Sequence, residues 1–241
     1  MQEYTMGGSQ TGVQDMKAAV YCGTRNLYGD MIPAVKSLLC NSDVDKIYLL
    51  IEDDVFPYEL PDCVECINVS DQSYFDHDGP NYKNGWTYMV LMRAALHSVF
   101  PKLGKILSLD VDTIVAKDIS DLWDLPIDNY YLAGAREPHK SINCLYVNAG
   151  VMLLNLDKLR DGKGAEIIDA LNTRRFPYNE QDCINELCRG HIYKMSSDYN
   201  ASDWTEPTTT PKIQHFAAIH RWQNHPLVEM YRNKDWKDIC G

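Results

Sequence analysis

Lys105 to Val115 reads KILSLDVDTIV, and its two halves ask for different surroundings. The first half is a short apolar run, of the length and composition of a buried strand. The second half places Asp110 and Asp112 one residue apart at the end of that run. In an extended chain, side chains two apart point the same way, so the aspartates converge if the strand continues through them. Two carboxylates at close range repel unless a proton or a cation lies between them. A strand end followed by a solvated acidic turn would explain the tripeptide equally well, so the rest of the chain has to decide.

Outward from that stretch, β and α patterns alternate. KAAVYCG from Lys17 reads as a buried strand, and DMIPAVKSLLCN as a helix with Asp30 placed to cap it and Pro33 in its first turn. KIYLLIE and the shorter CVECINV are predicted strands. Gly85 to Val99 carries helical spacing and stops before Pro101. YYLAGA and YVNAGVMLLNL follow KILSL as strands, helices are predicted over roughly 164–174 and 179–189, and KIQHF precedes a last helix near His225. Strands alternating with helices predict an α/β fold, a mainly parallel central sheet flanked by helices. Such sheets bind ligands beyond the carboxyl ends of their strands, where Asp110 and Asp112 stand. Residues 1–16 are polar, Gly-bearing and without periodicity, and are expected to form a flexible leader ahead of a single domain over 17–241.

Composition narrows the partners. The chain has 241 residues, a formal net charge of −11 and 45% hydrophobic residues. The charge argues against nucleic acid and anionic membrane as principal partners. An anionic ligand would need a local cation. No apolar run is long enough to span a bilayer and no secretory signal pattern opens the chain, so a cytoplasmic location is expected. Among eight scattered cysteines, Cys63 and Cys66 form a CxxC, but no second pair stands at zinc-finger spacing. Reduced, mostly buried thiols are the expected state.

Three further stretches are not explained by a core alone. Asn148 interrupts the apolar YVNAGVMLLNL, where Ala149 and Gly150 leave room for close approach to the backbone. Glu180, Gln181 and Asp182 crowd the first turn of a predicted helix, where negative charge suits the dipole and would also suit recognition of hydroxyls. In KIQHFAAIHRW, His215 follows a short strand, and one neutral imidazole joined to two carboxylates gives an O,O,N ligand set suited to Mn²⁺ or Mg²⁺.

Together, LSLDVDTIV, YVNAGVMLLNL, NEQDCIN and QHFAAIHRW occur in the order seen in family 8 retaining glycosyltransferases. That group includes glycogenin and bacterial lipopolysaccharide galactosyl- and glucosyltransferases, and the chain resembles it over roughly residues 17–236. The resemblance implies a GT-A fold, a single Rossmann-like domain. It also implies transfer of a hexose, glucose or galactose, from a UDP-sugar to a hydroxyl of a glycan, glycolipid or glycoprotein acceptor. The implied cofactor is Mn²⁺, with Mg²⁺ as a substitute. By matching motif, Asp110 and Asp112 would be the DxD metal ligands and His215 the third, with Asp110 also beside the donor. Asn148 would touch the donor sugar, Glu180 and Gln181 would be the catalytic pair beside its anomeric carbon, and Arg93 would reach the donor.

Two departures from the family pattern stand out. Its first strand commonly ends in an Asp near the base, whereas CGTRNLY offers Thr24, Asn26 and Tyr28, the last able to stack on uracil. Its final motif reads HFxGxxKPW, whereas HFAAIHRW is one residue shorter and supplies His220 or Arg221 in place of the diphosphate-binding Lys. Retention requires a covalent intermediate or attack on the face the leaving group departs from. Gln181 is a poor nucleophile, so same-face attack is expected. Two alternatives are a haloacid-dehalogenase-type phosphatase, which also begins with a strand and DxD, and a non-catalytic nucleotide-sugar or glycan-binding protein on the same scaffold.

Overall fold

The structure, a computed structural model, describes residues 16–141 and 144–240. The leader expected over 1–16 therefore lies, Met16 apart, outside the described residues. In chain order, β1 (Ala18–Cys22) leads through a single 3-10 turn into α1 (Tyr28–Asn41), followed by β2 (Lys46–Ile51) and β3 (Val64–Asn68). Next come α2 (Met92–Val99), β4 (Lys105–Leu109), β5 (Thr113–Val115), β6 (Leu132–Arg136) and β7 (Val147–Asn155). A short α3 (Leu156–Lys158) precedes α4 (Gly164–Thr173), α5 (Asn179–Leu187), β8 (Ile192–Met195), β9 (Ile213–His215), α6 (Pro226–Arg232) and α7 (Lys237–Cys240).

The nine residues of β7, VNAGVMLLN, are all buried, and a strand without a wet face belongs inside a sheet covered on both sides. It stands between β4 and β6 in the order β3-β2-β1-β4-β7-β6-β8. It runs antiparallel to both neighbours. The remaining pairs in that sheet are parallel. Alternation along β1 shows how the faces are dressed. Ala18 and Val20 pack with Leu96, Leu171 and Ile184 of α2, α4 and α5, while Ala19 and Tyr21 pack with Met31, Val35 and Leu38 of α1. Each fully buried aliphatic side chain contributes about 1.5–3 kcal/mol. A second ribbon, β5 with β9, sits where β4 ends, and it carries His215 to the carboxyl edge of the sheet.

Four local expectations need correction. Helix α2 begins at Met92, not near Gly85, because Gly85 has φ +80 and only a 3-10 turn over Tyr88–Val90 precedes it. Helix α1 begins at Tyr28, continuing from the 3-10 turn, so Leu27 occupies the cap position and Pro33 lies one turn deeper than expected. Asp30 instead accepts a hydrogen bond from Gln223 at 3.1 Å and pairs with Arg232. The strand β4 stops at Leu109, and Asp110 and Asp112 occupy the turn into β5. Cys22, Cys40, Cys63, Cys66, Cys144, Cys183 and Cys188 form no disulfide. Cys63 and Cys66 pack against the apolar cluster under α1. No described helix is long and apolar enough to cross a membrane.

Candidate active site

The turn after β4 is tied down from several sides. The Asp110 amide donates to the Gly150 carbonyl at 2.8 Å, and the Thr113 hydroxyl donates to the Asp110 carbonyl at 2.7 Å. Antiparallel pairing of β5 with β9 puts Thr113 opposite His215, and the Phe216 amide donates to the Asp112 carbonyl at 2.9 Å. The imidazole of His215, 2% exposed, therefore faces both aspartates. Its Nε2 lies 3.3 Å from an Asp112 oxygen and 3.7 Å from an Asp110 oxygen. Gly150 makes this possible: a Cβ there would stand 2.1 Å from Cε1 of the His215 ring.

The charges respond to this proximity. Burial opposes protonation of His215, but Asp112 and Asp110 outweigh it and hold the imidazole above its usual value. Burial likewise opposes ionisation of Asp112, and His215 overcomes it, leaving Asp112 below the usual carboxylate range. On the other side of the turn Arg93, near the start of α2 and 6% exposed, pairs with Asp110 and with Glu180, the latter at 2.8 Å. Burial pushes the Glu180 carboxyl up to about 7, with Arg93 pulling in the opposite direction.

The first turn of α5 supplies the next wall. Asn179 adopts φ 45 and turns the chain so that Glu180 and Gln181 both face inward. The Gln181 amide is held at both ends. Its oxygen accepts from the Ala149 amide at 2.9 Å, and its nitrogen donates to Glu137 and to the Tyr146 hydroxyl, each at 3.2 Å. Asn148 in β7 donates to the same Glu137 oxygen at 3.1 Å.

A cleft of about 220 Å³ gathers Arg93, Asp110, Asp112, Asn148, Glu180, Gln181 and His215, seven of the residues singled out from sequence. The other five stand elsewhere. Thr24 donates to Asn26 at 2.6 Å. Tyr28 borders a separate hollow with Arg25 and Asp53. It is 2% exposed, its ring packs on Phe56, and its hydroxyl donates to Asp53 at 2.9 Å, so no open ring face is left for stacking on a base. His220 and Arg221 are exposed. Arg221 lies in another hollow, beside Trp222 and His225, and the lining of the main cleft from this loop is Ala217 and Ala218. Sequence reading missed Glu137, 3% exposed, and the aromatics Trp86, Tyr178 and Trp204, which also line the cleft. Glu137 follows β6 directly, and the strand-end rule that selected Asp110 would have selected it too.

A mainly parallel sheet with an Asp-Asp-His cluster at its carboxyl edge defines an α/β protein with a candidate metal site. The sequence matches glycosyl transferase family 8 over residues 58–220, more than half of the chain, and the chain belongs to that family. This removes the phosphatase alternative. It is 22% identical to glycosyltransferase GlyB of Streptococcus pneumoniae over 92% of the chain and 63% of that protein. It is 29% identical to glycosyltransferase GlyE of the same organism over 76% of the chain and 47% of that protein. The chain spans 33% to 63% of the length of the curated relatives it matches. The solved structure of the galactosyltransferase LgtC in complex with donor and acceptor sugar analogs superposes with a TM-score of 0.66. That match is 18% identical in sequence and covers 89% of this chain and 93% of LgtC. These structural likenesses establish the GT-A fold.

Proposed function

We propose that residues 17–241 act as one domain that transfers a hexose from a UDP-sugar to a hydroxyl of a glycan, glycolipid or glycoprotein, with retention and with a divalent cation as cofactor. The observation that carries this reading is the charge of the cleft. Among the described residues that line it, four are carboxylates, Asp110, Asp112, Glu137 and Glu180, and Arg93 is the only Lys or Arg. Arg93 is already committed to Glu180 and Asp110. A diphosphate entering such a cleft needs additional positive charge.

The residues present suit a cation. One donor atom from each of Asp110, Asp112 and His215 lies within 4.8 Å of the others. Donors about 2.1 Å from a shared ion sit roughly 3 Å apart when adjacent, close to the separations around His215 Nε2. Two carboxylates and an imidazole match the preferences of Mn²⁺, or Mg²⁺. When bound, such an ion stabilises negative charge developing on a diphosphate leaving group.

The chain's own groups supply the remainder. Gln181, held by three partners, would present a fixed amide oxygen beside the sugar, with little reorganisation needed as positive charge develops on the ring. Because an amide is a poor nucleophile and Glu180 is engaged by Arg93, the site favours attack from the face that the leaving group vacates. His220 and Arg221 would meet the diphosphate only if residues 217–222 fold over the cleft. A calorimetric comparison of His220→Ala and Arg221→Ala with UDP, Mn²⁺ saturating, identifies which of the two contributes.

The test of the whole reading is turnover of a panel of nucleotide sugars with added Mn²⁺ and with excess EDTA, the product anomer read by NMR. Metal-dependent transfer with retention is expected. Donor binding without transfer or hydrolysis would leave a binding protein, and inversion would overturn the retaining mechanism. A cytoplasmic location belongs to the same proposal and is checked by cell fractionation.

A further inference from the structure

One fully buried polar side chain in this region has no role so far. Asn200, 0% exposed, stands behind the cleft between His215 and Asn148. Its amide nitrogen donates to the Asn148 side-chain oxygen at 3.0 Å, and its oxygen lies 2.8 Å from Nδ1 of His215. Its own backbone is fixed, the amide donating to Ser197 at 3.0 Å and the carbonyl accepting from the Thr205 hydroxyl at 2.6 Å.

The direction of every bond in this chain follows from one backbone group. A backbone N–H can only donate, and the Gly150 amide meets the Asn148 side chain at 3.0 Å, so the atom it meets is the Asn148 oxygen. The nitrogen of Asn148 then faces Glu137, a carboxylate, at 3.1 Å, as a donor should. Asn200 must offer its NH₂ to the Asn148 oxygen, which leaves only its carbonyl oxygen for His215. An oxygen acceptor opposite Nδ1 requires the proton to be on Nδ1. In the neutral ring, the form that can ligate a metal, Nε2 then carries the lone pair, and it is the nitrogen turned toward Asp112 and Asp110.

We infer that Asn200 is a positioning residue that sets the His215 imidazole to face a cation through Nε2 and, by its other end, aims the Asn148 amide along the cleft wall. The inference rests on the cation-dependent reading above. It adds a mechanical link between two candidate contacts, one to the cofactor and one to the sugar, through a residue that touches neither ligand. Groups that orient metal-bound histidines in this way alter metal affinity by roughly 10- to 100-fold when removed.

Two substitutions separate this from simple core packing. Asn200→Leu is close in size and removes both hydrogen bonds, while Asn200→Asp keeps an oxygen opposite Nδ1 but loses the donor facing Asn148. Calorimetry with Mn²⁺ alone on the full chain should show roughly 10- to 100-fold weaker binding for Asn200→Leu and near wild-type binding for Asn200→Asp. With Mn²⁺ saturating, UDP-sugar affinity should fall in Asn200→Asp. Equal losses of both affinities in the two variants would overturn the inference, since a merely structural role predicts that pattern. Imidazole ¹H–¹⁵N spectra of the metal-free wild type need no variant to fold. A slowly exchanging His215 Nδ1–H is expected, and exchange at the rate of a free imidazole would overturn the inference. If the wild type binds no Mn²⁺, the functional reading fails, and the exchange measurement still decides the placement of the proton.

Discussion

Replacing Arg93 by Met should expose how much of the site's stability rests on one guanidinium. Arg93 and Glu180 side chains are each 6% exposed and joined at 2.8 Å, while Asp110, 33% exposed, keeps partial access to water. Removing one partner of a buried pair costs about 3–5 kcal/mol, because the other charge is left buried and unpaired. For a chain of this size that corresponds to a fall in Tm of roughly 6–20 °C. The sign of the pH dependence follows from Glu180. Its carboxyl is raised from an ordinary value of 4.5 to about 7, so its contribution to stability is intact below 4.5 and is lost as the pH rises toward about 7. Without Arg93 the carboxyl is raised further, so Arg93→Met should be much more damaging at pH 8 than at pH 5. Circular-dichroism melts in EDTA at the two pH values measure this, and the double variant Arg93→Met, Glu180→Gln should recover most of the loss at pH 8. A cost at pH 8 below about 1 kcal/mol, typical of exposed pairs, or an equal cost at both pH values, would refute the reasoning.

Three other substitutions probe neighbouring parts. Asp112→Asn is expected to abolish Mn²⁺ binding in a calorimetric titration while the metal-free chain stays folded by circular dichroism. Gln181→Ala should lower kcat far more than donor affinity, and it should cost about 1–3 kcal/mol in denaturant titrations, because Ala149, Glu137 and Tyr146 lose a hydrogen-bond partner. Ala218 adopts φ 59, a left-handed conformation costing a non-glycine residue roughly 1–2 kcal/mol. Ala218→Gly should therefore raise the denaturation midpoint, even after the added unfolded-state entropy of about 0.4–1 kcal/mol is subtracted.

The elements that could be placed from sequence were those whose own side chains state their surroundings. KIYLLI, KILSL and VNAGVMLLN are apolar runs of strand length, and each became a strand with nearly the expected bounds. The antiparallel direction of β7 was not legible, because a strand buried on both faces reads alike in either direction. The start of α2 was misjudged for a related reason. Met89 and Val90 sit at helical spacing from the residues that follow, yet the backbone at Gly85 takes φ +80, and spacing carries no record of a dihedral angle. Likewise Asp30 has the chemistry of a helix cap, but the 3-10 turn over Arg25–Leu27 already leads into α1, and the carboxylate is used by Gln223 and Arg232 nearly 200 positions away.

The site divides along the same line. Asp110 and Asp112 were visible because two acids at the end of an apolar run are costly without a purpose, and His215 because it ends a short strand near the end of the sequence. Asn200 was not, since it lies among polar residues where an amide looks like an ordinary loop position, and Glu137 had only its place after β6 to mark it, with no second acid beside it. What makes them distinctive is burial, 3% and 0% exposed, and burial of a polar side chain is decided by what other segments cover it. Thr205 fixes the Asn200 carbonyl, Gly150 clears the space for His215, and β9 brings that ring to the aspartates only because it pairs with β5. The same dependence explains why His220 and Arg221 lie outside the cleft. Their loop is one residue shorter than the family pattern and turns through left-handed positions at Ala218 and Arg221; Ala217 and Ala218 line the cleft, while Arg221 lies with Phe216 and Trp222 in another hollow. With no basic side chain from that loop among the described cleft residues, the diphosphate donor proposed above would draw its compensating positive charge from a cation held by Asp110, Asp112 and His215.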